Sequence, residues 1–208
     1  AYIDNDISGA FDGTGGLTRL LPELNHERLR APIFSVKHVF LRNGHSILRD
    51  EKVRRAMAHA LDVGQIINDL GGGFGFVNGP ALGDQTPGLD LEFKLPDHDI
   101  EAAKKFLDDA GWVTGEGQIR VKDNKKLTLK MTASTRVDDP TIANKLQTAW
   151  KEIGIEVQVD LVEPLDLFQN HITPHNYEIL LHTINVGVDP DLFVYWHSSQ
   201  STVPGLNL

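Results

Sequence analysis

Between Ile47 and Leu70 apolar side chains recur with helical spacing, and the pattern is framed by two aspartates. Val53, Met57 and Leu61 follow one another every four residues, so they form one stripe along a helix whose outer face carries Glu51, Lys52, Arg54 and Arg55. Asp50 stands where its carboxylate accepts from first-turn amides, and Asp62 stands in the same relation to a second helix that turns Ile66, Ile67 and Leu70 inward. The pattern therefore predicts two packed helices ending at Gly71-Gly72-Gly73. Upstream, Phe34–Leu41 alternates Phe34, Val36, His38 and Phe40 with Ser35, Lys37, Val39 and Leu41, and is apolar on both sides over its second half. A strand of that kind is expected inside a sheet.

Downstream, Ile100, Ala103, Leu107 and Ala110 share a helical face that either Asp97 or Asp99 caps, and Gly111 stops the helix with Trp112 packed back on it. Gln118–Val121 and Leu127–Met131 flank the polar turn Lys122-Asp123-Asn124-Lys125 and read as a hairpin. Asp139-Pro140 supplies a cap and a first-turn proline for a helix with the stripe Ile142, Leu146, Trp150 and Ile153, closed by Gly154. Ile155, Val157, Val159 and Leu161 then alternate with Glu156, Gln158 and Asp160. Strand, helix and strand with short joints imply a crossover and a parallel pair. Leu127–Met131, Ile155–Leu161 and Glu178–Ile184 are therefore expected in one sheet with the Trp150 helix across it, and Asp189–Trp196 to open a further helix.

Composition changes this picture little. The chain has 208 residues, enough for a sizeable core, and no cysteine, which excludes disulfide and thiolate-metal chemistry. Its formal charge of -9 argues against a nucleic-acid surface. No run approaches the roughly 20 apolar residues that span a bilayer.

Candidate chemistry is sparse. Asp4, Asp6, Ser8, Gly9 and Asp12 begin like a calcium loop, but Gly15 stands where the closing carboxylate belongs, so a turn-rich segment is expected. His171 and His175 have the four-residue spacing of a helical metal pair, and Pro174 between them breaks it. No nucleophile elbow, zinc-protease motif or phosphate loop occurs, and neither a cofactor nor a metal is implied. Gly71–Pro96 is a long glycine- and proline-rich loop in which Phe74, Phe76 and Asn78 offer aromatic faces and an amide to a ligand, or anchor the loop to the core. Asn185 and Asp189 leave a strand end, the place where open α/β sheets put ligand sites. Asp189 before Pro190 also suits a turn or a cap.

Three ordered stretches carry a family resemblance. Asp50, Val53, Arg54, Ala56, Ala60, Leu61 and Asp62 form the first; Ile100 to Leu107 with Ala110-Gly111-Trp112 the second; and Leu146, Trp150, Lys151, Ile153-Gly154-Ile155 and Val157 the third. The chain thereby resembles the peptide/nickel group, family 5, of the bacterial solute-binding proteins of ABC transporters. The resemblance implies an α/β fold, a type II periplasmic-binding-protein-like lobe with a mixed sheet flanked by helices. Residues 1–35 would be the segment crossing between lobes or a remnant of the first lobe, and 36–208 the C-terminal ligand-binding lobe, truncated at its end. It further implies a periplasmic or extracellular location, a small-molecule or peptide ligand held between two lobes, delivery to ABC permease subunits, and contact with a membrane only through the permease or a lipid anchor. The family's segment G-W-x-x-D-Y-x-D-P grips a peptide's ammonium through its first acid; that position is Val186 here, and only Asp189-Pro190 is kept. A free-standing α/β enzyme of hydrolase type and an interaction module without transport are the alternative readings. Under the family reading the isolated chain folds but shows no saturable ligand binding.

Overall fold

The structure is a computed structural model that describes residues 35–70, 96–136, 138–185, 191 and 193–208. Its centre is a four-stranded mixed sheet made of β1 (Ser35–Leu41), β5 (Thr128–Ser134), β6 (Glu156–Val162) and β7 (Ile179–Asn185), in the order β1-β7-β5-β6. β5 is parallel to β6 from Thr128↔Glu156 to Ser134↔Val162, and parallel to β7 at Met131↔Ile179 and Thr132↔Leu180. β1 runs antiparallel to β7, from Ser35↔Asn185 to Leu41↔Ile179. The three strands expected in one sheet are in one sheet.

Four helices cover one face: α1 (Glu51–His59), α2 (Val63–Asp69), α3 (Ile100–Asp109) and α4 (Asp139–Glu152). Local chemistry sets their ends. Asp50 accepts from the Lys52 amide, Asp62 from Gln65, and of the two aspartates before α3 it is Asp99 that caps, accepting from Ala102 at 2.8 Å. Gly111 and Gly154 take φ of +83° and +89°, the left-handed conformation that ends a helix at little cost only for glycine. Val53, Met57, Leu107, Leu146, Trp150 and Ile153 are buried against Leu129, Met131, Ile155 and Val157 in one continuous core. Leu61 and Ile66 pack on its edge. On the opposite face a smaller core gathers Leu167, Ile172, Tyr177 and Leu180 with Phe40, Val162, Leu206 and Leu208.

Four expectations are corrected. β1 lies at the end of the strand order and all seven of its residues are half-buried. Its two-sided apolar pattern comes from cover on both faces, Val39 and Leu41 on the main core and Phe40 on the smaller one, and not from strands on both edges. The hairpin exists, but β3 (Arg120–Lys122) returns only as β4 (Lys125–Lys126), through Asp123 and Asn124 at φ 50° and 61°. The backbone twist of that two-residue turn suits a tight hairpin. Beyond Leu127 the chain leaves it for the main sheet, and β3 pairs instead with β2 (Val113–Thr114). Leu161 does not continue the buried alternation of β6; it is 41% exposed. Asp139 does not cap α4: the cap position is Asp138, which makes no capping bond, and Asp139 is buried in the first turn. At the chain's end a helix of four residues, α5 (Phe193–Trp196), forms, with Asp191 accepting from the Phe193 amide at 2.8 Å.

Candidate functional site

The strand order creates a crevice. From β5 the chain crosses through α4 to β6 on one side, whereas β7 lies on the other side of β5. The carboxyl ends of β5 and β7 therefore lie side by side, at the edge where open α/β sheets seat ligands. The register shapes this edge further. Thr132 is level with Leu180, so Ser134, the last residue of β5, is level with His182, and β7 runs on to Asn185. The end of β7, paired with the start of β1, therefore forms a floor beside the β5–α4 joint.

The joint is held by a polar network. Asp139 accepts from Ser134 Oγ at 2.6 Å and from Lys37 Nζ, which reaches across from β1, and Ser134 Oγ in turn accepts from the Arg136 amide at 3.1 Å. Thr135 ties the same joint to β6, its amide donating to the Val162 carbonyl at 2.9 Å and its hydroxyl to Glu163 at 3.1 Å. Asp139 is 4% exposed, and an ammonium and a hydroxyl both face its carboxylate, as a buried acid requires. The joint is thereby rigid, and Arg136 is exposed at its tip.

His182 stands directly across from His38, whose ring contacts Phe40 at 5.4 Å and Trp196 at 5.7 Å. Burial holds the His182 imidazole below its ordinary value, against the pull of the Asp139 carboxylate and with the push of Lys37 and Arg136. Since the unfolded chain then binds the proton more tightly, His182 costs nothing above the ordinary imidazole value of about 6.5 and removes stability as pH falls through and below it. His182→Gln is expected to flatten the fall in melting temperature between pH 7 and 5, and equal slopes for both proteins would show that His182 is not held neutral by the fold.

Of the ligand residues expected from the sequence, Asn185 is exposed at the end of β7, on the crevice. Phe74, Phe76, Asn78 and Asp189 lie outside the described residues. Lys37, Ser134, Arg136, Asp139 and His182 were not singled out for a site by the sequence. The signal available was the polar run Ser134-Thr135-Arg136 between an alternating strand and Asp138-Asp139-Pro140, read there only as a helix start. His171 and His175 do not converge: His171 pairs with the Asn176 carbonyl and His175 with the Gly205 carbonyl at 2.8 Å. A depression of about 510 Å³ lined by Gln147, Lys151, Glu156 and Gln158 lies at the opposite, amino end of β6, away from the crevice.

Residues 7–205 match the family model described as bacterial extracellular solute-binding proteins, family 5 Middle. The chain belongs to this family. Among curated relatives it is similar to the oligopeptide-binding protein AppA of Bacillus subtilis, 31% identical over 162 residues that make up 74% of this chain and 29% of AppA. It is also similar to the oligopeptide-binding protein OppA of Lactococcus lactis subsp. lactis, 31% identical over 54% of this chain and 19% of OppA. The family fold is equally clear in solved structures. AppA in complex with a nonapeptide superposes with a TM-score of 0.74 at 27% identity, covering 84% of this chain and 36% of that one. NikZ of Campylobacter jejuni in complex with Ni(L-His) gives a TM-score of 0.77 at 23% identity over 93% of this chain and 39% of that one, a likeness of fold. The chain thus spans between a fifth and two fifths of the length of these family members.

Proposed function

We propose that this chain is the ligand-binding lobe, residues 36–208, of a solute-binding component of an ABC importer, with residues 1–35 crossing toward a second lobe. In this reading the protein works in the periplasm or at the cell surface and takes a small solute, oligopeptide-like or other, into a cleft between the lobes. Closure of the two walls then presents the complex to the permease subunits. It binds and releases without turnover. The observation that supports this best is the crevice between the carboxyl ends of β5 and β7, with a rigid polar joint on one side and Asn185 on the other. Val186 stands where the family's peptide binders carry their ammonium-gripping acid, which favours a solute other than a standard peptide with a free amino end.

One lobe buries only part of a solute, whereas a binding pocket covers roughly 70–90% of it. The isolated chain is therefore expected to fold yet show no saturable calorimetric signal with short peptides, sugars or nickel-histidine. A two-lobed protein containing it is expected to bind one of these and to gain about 2.7 kcal/mol of stability at a hundredfold excess over Kd. Tight binding by the isolated chain would make its site self-contained and overturn the two-walled reading. Conversion of a bound solute to product would favour the hydrolase alternative.

A further inference from the structure

β6 ends the sheet on the side away from β1, and among the described residues no strand pairs with its outer edge. The Glu156 amide donates to the Leu127 carbonyl and the Thr135 amide to the Val162 carbonyl, both at 2.9 Å, so the even-numbered residues of β6 turn their backbone groups toward β5. Backbone direction alternates along a strand, which leaves Val157, Val159 and Leu161 with theirs on the open side. Gln147 Nε2 covers the Val157 carbonyl from α4 at 2.7 Å, and the remaining amides and carbonyls of these three form a template for a further strand. The two ends of β6 differ. At the amino end lies the depression of about 510 Å³ lined by Ile119, Gln147, Lys151 and Val157, whereas at the carboxyl end the apolar Leu161 is 41% exposed. One end offers a recess and the other an apolar side chain left in water.

We propose that β6 is the contact between two copies of this chain, paired antiparallel about a two-fold axis at Val159, so that the two sheets join into one. In this register Val157 is level with Leu161 of the other copy, and each Leu161 seats in the other copy's depression beside Val157. A contact of this kind closes on itself, each end of the strand meeting the opposite end of its twin. The charges select the same register. On the other side of the strand Glu156 is then level with Val162, and Gln158 with Asp160, whose carboxylate Lys130 holds at 2.8 Å and to which the Gln158 amide donates across the contact. Sliding to the next allowed register in one direction sets Glu156 against Asp160, and in the other Asp160 against itself; like charges directly opposite are unfavourable. The strand is thus complementary to its own copy in one register. Two edge strands and their side chains make a small contact, which belongs to the weak class of associations. It lies on the side of β5 away from β7, so the crevice stays open in both copies and the inference is independent of the solute.

Sedimentation equilibrium of the chain from about 1 µM to about 1 mM, in about 0.15 M salt to screen the formal charge of -9 on each copy, is expected to show a monomer–dimer equilibrium. Leu161→Lys sets a cation against Lys151 of the other copy and alters only an exposed side chain of the monomer. It is expected to weaken the dimer at least about tenfold while keeping the circular dichroism and melting temperature of the wild type. Register is read separately. The chain has no cysteine, so Gln158→Cys and Asp160→Cys each carry a single thiol. Mixed and oxidised with glutathione disulfide, they are expected to form the bridge between the two variants in excess of the statistical mixture, because positions 158 and 160 face each other and neither faces itself. A chain that is monomeric at every concentration overturns the proposal. So does a dimer that Leu161→Lys leaves unchanged, or a statistical mixture of bridges, since either places the contact on another surface or in another register.

Discussion

Trp150→Ala is expected to lower stability by about 3–5 kcal/mol, near the top of the range for a single core truncation. The indole is 1% exposed at the centre of the main core. Its loss leaves a void among α4, α1 and the sheet. A second cost adds to the void. Trp150 Nε1 donates to the Met57 carbonyl at 3.0 Å, and Met57 lies in the last turn of α1, where the Leu61 amide bonds to Ala58 instead. The indole thus serves one of the carbonyls that a helix end leaves without a partner, and does so in a buried place where water is absent. Trp150→Phe separates the two effects: most of the volume stays, the donor goes, and a loss of about 1–3 kcal/mol is expected. Urea unfolding followed by circular dichroism checks both. A change below about 1 kcal/mol for Trp150→Ala is what a surface site gives and would contradict the packing described.

Arg120→Met is expected to cost about 3–5 kcal/mol for a related reason. Arg120 is 5% exposed, and its Nε donates to the Ile153 carbonyl at 3.0 Å, its Nη1 to Trp112 at 2.6 Å and its Nη2 to Lys104 at 3.2 Å. One guanidinium therefore joins the carboxyl ends of α3 and α4, where helix dipoles favour a cation. The Asp108 carboxylate pairs with it too, but is 62% exposed and contributes little beside the buried carbonyls. Packing here leaves no slack: a Cβ at Gly154 would sit 2.7 Å from Arg120 Cγ and 2.9 Å from the Gln118 carbonyl. Arg120→Lys keeps the charge but has no fork to serve three carbonyls, so it is expected to recover only a minor part of the loss. Wild-type stability in Arg120→Lys would show that charge alone matters at this position.

The sequence reveals those features whose causes are local. Asp50, Asp62 and Asp99 lie within three residues of the amides they cap, and Gly111 and Gly154 end their helices by their own φ, so all five were legible. The parallel β5–β6 pair was legible because a single helix with short joints leaves few other arrangements. What failed needed partners distant along the chain. Asp139 looks like a cap by its place before Pro140, but Lys37, from the first strand, and Ser134 draw it into the crevice instead. Arg120 looks like one charge in a polar hairpin, and only the meeting of two helix ends buries it. Leu127 was assigned to the hairpin because its alternation runs unbroken into β5; periodicity does not mark where a chain changes sheets. Asn185 was legible as the residue that ends a strand, but the joint after β5 was not, since a polar run after a strand has no meaning until the strand beside it is known.

The position of β7 also has a consequence for biosynthesis. This strand lies between β1 and β5, so Ser35 acquires its partner only when Asn185 has been made. A nascent chain carrying everything up to β6 has β5 and β6 paired but presents β1 with no strand to receive it, and both apolar faces of β1 are open to other chains. Pairing across so long a stretch of chain is slow to nucleate and leaves an interval of exposure to aggregation. Synthesis stalled or cut short before residue 185 should therefore yield a polypeptide that is held by chaperones or degraded, whereas release after Asn185 lets the sheet close in one step.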